Sequence, residues 1–84
     1  MSPERHLIFG RGYLAGFKDL LETDRIKARR VMAIVNSLAR DPEPVECVHL
    51  GGSLIYRLHI DDVRVLYEVS DDTIRVMSLG RVPR

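Results

Sequence analysis

The stretch YRLHIDDVRVLYEVSDDTIRVMSLGR, residues 56–81, decides the fold. Its apolar residues recur with period 2, and the period is broken only at Asp61-Asp62 and at Ser70-Asp71-Asp72, both turn-forming pairs or triplets. This predicts three antiparallel strands in a meander, near residues 54–60, 63–69 and 73–79. A two-residue loop at Asp61-Asp62 fixes the first register: Ile60 opposite Val63, His59 opposite Arg64, Leu58 opposite Val65, Arg57 opposite Leu66. A turn at Asp71-Asp72 sets Glu68 opposite Arg75, Leu66 opposite Met77 and Arg64 opposite Leu79.

Because side chains alternate across a strand, these pairings sort the sheet into two faces. One carries Leu54, Tyr56, Leu58, Ile60, Val63, Val65, Tyr67, Val69, Ile74 and Val76, and is apolar apart from Ser78. The other carries Ile55, Arg57, His59, Arg64, Leu66, Glu68, Arg75, Met77, Leu79 and Arg81. Slipping a turn by one residue would bury Arg57 and Arg64 unpaired, at prohibitive cost. Glu68 can pair with Arg75 across the strands. Arg57, His59, Arg64 and Arg81 are then left together with no carboxylate beside them. Like charges repel at such spacing, and a phosphate would relieve them, since arginine binds it in bidentate fashion. A merely basic, solvated sheet face is the alternative reading of the same pattern. His59, of near-neutral pKa, is the candidate for proton transfer.

Upstream of the sheet the period is 3.6. Tyr13, Phe17, Leu20 and Leu21 mark one face of a first helix, preceded by a short extended segment at 5–9 and by Gly10 and Gly12. Thr23 or Asp24 caps a second helix running to Arg40, with Ala28, Val31, Val35 and Leu38 as its apolar stripe. Asp41-Pro42-Glu43-Pro44 stops it, proline lacking the amide proton and biasing its predecessor out of the helix. A further extended segment falls near 46–50. The expected class is α+β: an N-terminal short strand and a helical hairpin packed on one face of a C-terminal antiparallel sheet, as a single domain over residues 1–84.

Eighty-four residues make one small core, burying roughly 60% of the surface of the unfolded chain. The net charge of +1 argues against binding polyanions by bulk charge. Local sorting matters more: residues 1–40 hold eight Lys/Arg and four Asp/Glu, residues 41–84 five and eight. The single cysteine, Cys47, rules out an internal disulfide framework and reads as a small apolar filler in a reducing compartment. There is no membrane-length apolar run and no signal-peptide pattern, so the expected location is the cytoplasm.

His6 and His49 have no metal-ligand spacing with Cys47, and no metal or cofactor is expected. The two Asp pairs are separated by a seven-residue strand, about 23 Å long, and so cannot share a metal. Gly51-Gly52-Ser53 reads as a turn, because no helix opens after it to complete a phosphate loop. The cations Arg25, Arg29 and Arg40 of the second helix read as its solvated face.

Residues 56–81 resemble the RelE/ParE superfamily of bacterial toxins in their progression from Y-R-L through a turn to R-V-L-Y-E-V, an acidic turn and a closing G-R. The helical hairpin ending in LARDPEP, residues 38–44, extends the resemblance over most of the chain. For the RelE-like branch it implies the toxin of a type II toxin–antitoxin system, a ribosome-dependent endoribonuclease that cleaves mRNA without a metal. A base assists the ribose 2′-hydroxyl, cations stabilise the phosphorane, and an acid protonates the leaving oxygen. The basic positions carry over onto Arg57, His59, Arg64 and Arg81. The resemblance further implies a cognate antitoxin in a hetero-oligomer, with mRNA and the ribosome as the other partners and no membrane. Members of that branch commonly carry a further basic stretch with a catalytic tyrosine or histidine after the last strand. Here Arg81 is followed by Val82-Pro83-Arg84, leaving His59 as the proton-transfer candidate. The same resemblance admits two other readings: a ParE-like inhibitor that binds DNA gyrase without chemistry, and an inactive binding module of the toxin fold.

Overall fold

The computed structural model describes residues 4–83. In chain order these form β1 (His6–Gly10), α1 (Arg11–Thr23), α2 (Arg25–Ser37), β2 (Cys47–His49), β3 (Ile55–Ile60), β4 (Val63–Val69) and β5 (Thr73–Arg81). The strands build one sheet in the order β1-β5-β4-β3-β2. β1 lies parallel to β5, while the other neighbours are antiparallel. The two helices cover one face, giving the expected α+β layout. No helix among the described residues is long and apolar enough to cross a membrane.

The hairpin of helices turns on Asp24, whose carboxylate accepts a hydrogen bond from the Lys27 amide at 3.0 Å, so that it caps α2. The stripe Ala28, Val31, Val35 and Leu38 is fully buried, as its spacing predicts. α2 is shorter than predicted, ending at Ser37 rather than Arg40. The amides of Leu38, Ala39 and Arg40 bond to carbonyls three residues back, tightening the chain into a turn before the prolines. α1 approaches β5 closely because Gly12 and Gly16 share a face. A Cβ at Gly16 would stand 2.3 Å from the Leu79 carbonyl oxygen, and one at Gly12 would stand 2.8 Å from that of Met77.

Tyr67, Leu58, Ile60, Val63, Val65 and Ile74 form the sheet side of the core. Each such side chain removed from water contributes roughly 1.5–3 kcal/mol. Cys47 packs against this core as a free thiol. Tyr67 places its hydroxyl on the Pro42 carbonyl at 2.7 Å, satisfying the one polar atom it buries. Tyr56 stacks between His49 and Tyr67 and donates to Glu43. Leu54, predicted on the apolar face, lies before β3 and is 61% exposed.

The β3–β4 register is the one predicted, from Ile60 opposite Val63 to Tyr56 opposite Tyr67. The β4–β5 register follows prediction from Val69–Ile74 to Tyr67–Val76 and then shifts. Met77 is an extra residue in β5, so that Leu66 faces Ser78, Val65 faces Leu79, Arg64 faces Gly80 and Val63 faces Arg81. The bulge has a clear physical reason. In the unbroken register Ser78 would point into the apolar layer and Leu79 into water. With the extra residue Leu79 is 9% exposed within the core, and Ser78 moves to the opposite face.

Candidate phosphate-binding site

The face not covered by helices brings together three of the four predicted basic residues. Arg57 and His59 project from β3 two residues apart, and Arg64 stands opposite His59 on β4. All three are half-buried. The Arg57 Nε–H donates to His59 Nε2 at 3.0 Å. Arg64 folds back over the hairpin loop, its Nη1 donating to the carbonyls of Asp61 at 2.8 Å and Val63 at 3.0 Å. In that loop Asp61 takes a left-handed conformation, φ 53°, which aspartate tolerates better than most residues.

Among the described residues neither Arg57 nor Arg64 forms an ion pair. Glu46 is the acid nearest in register, its carbonyl accepting the His59 amide at 2.9 Å, yet it too enters no ion pair there. The imidazole is held below its ordinary pKa, first by burial and then by the Arg64 and Arg57 charges. Gly80 stands opposite Arg64, and a Cβ placed on it would meet nothing within 4 Å. The sheet surface opposite Arg64 is therefore open at Gly80. Glu68 and Arg75 approach to 3.9 Å further along the same face, the pairing expected from their register.

The structure places Arg81 elsewhere, correcting the predicted foursome. Beyond the Met77 bulge it lies opposite Val63, on the side of the sheet where the helices sit. Its Nε and Nη2 bind the Asp62 carboxylate at 3.1 and 3.0 Å. Asp62 also accepts from Lys27 of α2 at 2.6 Å, while Asp61 pairs with Arg30 at 2.9 Å. The Lys27 and Arg81 bonds hold the Asp62 carboxyl down to about pKa 2 against the opposing effect of burial. Asp61-Asp62 is thus a turn, as predicted, but also the anchor that ties the β3–β4 hairpin to α2 and to the end of β5. The spacing of Lys27 and Arg30 on one helix edge is the only sequence signal for this anchor, and it does not name the acids they meet.

Two guanidinium groups and a neutral imidazole on an open face can bind a phosphodiester and exchange a proton beside it. Among the described residues no group of three or more His, Cys, Asp or Glu side chains is placed to hold a metal ion.

No family model matches this sequence, and no curated protein matches it. Solved structures do match its fold. The archaeal RelE-RelB complex from Pyrococcus horikoshii gives a TM-score of 0.76 at 23% identity, covering 100% of this chain and 99% of the matched chain. The YoeB/ParE toxin from Agrobacterium tumefaciens gives 0.76 at 14% identity, covering 94% and 99%. The E. coli DinJ-YafQ toxin-antitoxin complex gives 0.70 at 20% identity, covering 93% and 92%. The chain has the RelE-like toxin fold, which is what its strand pattern resembles.

Proposed function

We propose that this chain is the toxin of a type II toxin–antitoxin pair and that it cleaves ribosome-bound mRNA. The observation that carries the reading is the convergence of Arg57, His59 and Arg64, free of ion pairs among the described residues, on the open face of a RelE-like fold. His59 Nε2 accepts the ribose 2′-hydroxyl proton, and the 2′-oxygen forms a bond to the adjacent phosphorus. The bond from phosphorus to the 5′-oxygen breaks, that oxygen takes a proton from water, and a 2′,3′-cyclic phosphate remains. Arg57 and Arg64 stabilise the charge that gathers on the phosphorane, an effect worth roughly 10²–10³ in rate per donor at comparable sites. Neighbours of this fold solved as toxin–antitoxin complexes support a separate antitoxin chain as partner, and the setting is the cytoplasm.

Expression without the antitoxin should arrest growth and leave cut transcripts. Folded protein that permits normal growth with intact mRNA would overturn the reading. One observation favours a second reading, a ParE-like inhibitor that binds gyrase without chemistry: Arg81 is engaged with Asp62 and adds nothing to the cation cluster. Growth arrest with intact mRNA and inhibited supercoiling would identify that case.

A further inference from the structure

The hydrogen bond from Arg57 Nε to His59 Nε2 constrains more than geometry. A guanidinium is protonated at all accessible pH and has no acceptor, so it can only donate. The nitrogen it meets must therefore carry a lone pair, and the ring proton of a neutral His59 must sit on Nδ1. The other groups around the ring leave this assignment in place. Arg64, across the strand pair, is also a donor only, and its Nη1 is occupied by the Asp61 and Val63 carbonyls. Glu46, alongside on the β2 side, meets His59 through its backbone carbonyl and the His59 amide, not the ring.

We propose that Arg57 is a positioning residue that sets His59 in the Nδ1–H tautomer and caps its basic nitrogen until a phosphodiester draws the guanidinium away. This rests on the function proposed above, and it assigns to one side chain two successive partners. In the free protein Arg57 holds Nε2 unprotonated but occupied. When RNA binds, the phosphate takes the Nε–H, because its negative charge adds to the hydrogen bond an attraction for the guanidinium that a neutral imidazole cannot supply. The lone pair on Nε2 is then released beside the phosphate at which it is needed. The base is thereby exposed only where a substrate phosphate is present, and no protein segment has to move. In the free protein burial and the two arginine charges hold the His59 pKa below the ordinary histidine value, so the exchange starts from a neutral ring.

The test is long-range proton–nitrogen NMR on the nitrogen-labelled protein near pH 7.5, without RNA. His59 should show Nδ1 protonated and Nε2 bare, and Arg57→Met should remove that preference, the ring reverting to the Nε2–H form that unconstrained histidine favours. Adding an uncleavable RNA trinucleotide whose first two sugars are 2′-deoxy should shift the Arg57 Nε–H signal while Nε2 stays bare. A protonated Nε2 in the free wild-type protein would overturn the proposal, as would an unchanged tautomer in Arg57→Met. Arg57→Leu, which also carries no donor, serves as a second variant if Arg57→Met does not fold. The tautomer is read without any activity, so a failed cleavage assay alongside the expected tautomer would count against the proposed function and not against this coupling. Normal cleavage with an Nε2–H ring would do the reverse.

Discussion

Arg81 and Asp62 meet at 3.0 Å, across the end of the sheet and away from the open face on which Arg57, His59 and Arg64 gather. One extra residue in β5, Met77, decides this. Removing it in thought returns Arg81 to the cation cluster and Leu79 to solvent. The ion pair therefore reports which side of the bulge each basic residue falls on, and it divides the arginines into two groups with different expected roles.

Arg64→Ala and Arg81→Ala should separate those roles. The first should lower the rate of mRNA cleavage by roughly 10²–10³ with little change in thermal midpoint. The second should lower the midpoint by a few degrees and leave most of the cleavage rate. Parallel melting curves and single-turnover cleavage assays check both, and equal rate losses in the two variants would dissolve the distinction.

Asp62 makes stability depend on acid. Its folded-state pKa, about 2, lies below the unfolded value of 3.8, so folding favours the ionised form. The contribution is complete above about pH 4 and is lost as pH falls from there through about 2. Asp62→Asn should lower the midpoint at pH 7 and flatten its fall through that window. A variant whose midpoint tracks that of the wild type from pH 7 to pH 2 would show that the anchor contributes nothing.

The closeness of α1 to β5 rests on Gly16. Alanine there drives a methyl group to 2.3 Å from the Leu79 carbonyl oxygen, so helix and strand must separate. A loss of about 1–3 kcal/mol is expected from urea unfolding, against a negligible change for Gly80→Ala, where the added methyl meets nothing within 4 Å.

Cleavage should also follow the state of His59. The base is active when neutral, so the rate should rise with pH through the His59 pKa, which is held below the ordinary 6.5, and be flat above it. Arg57→Met removes one of the charges holding that value down and should move the rise to higher pH. A rate that does not fall on acidification at any pH at which the protein stays folded would exclude His59 as the base.

Much of this was legible in the sequence because a two-residue loop leaves no freedom. Asp61-Asp62 fixed the β3–β4 pairs, and with them the shared face of Arg57, His59 and Arg64. Unbroken alternation in β5 puts Arg81 on the basic face, whereas the bulge carries it to the other side of the sheet. A signal of the error was present: Ser78 stood as the one polar residue on an otherwise apolar face, next to Leu79 on the basic one. A bulge at Met77 removes both misfits at once. The parallel pairing of β1 with β5 was not legible, since nothing in residues 6–10 names a strand 67 residues away. The Lys27–Asp62–Arg81 anchor was hidden for the same reason, its members being brought together only by the tertiary fold.

The central claim is that Arg57, His59 and Arg64 cleave RNA on the open face. Its most direct test is a reconstituted translation system in which purified protein meets ribosomes programmed with a labelled mRNA, the fragments being sequenced and their 3′ ends identified. The account predicts cuts within the ribosome-bound message that end in 2′,3′-cyclic phosphate, nearly abolished in Arg64→Ala. Intact message in the presence of folded wild-type protein would contradict it.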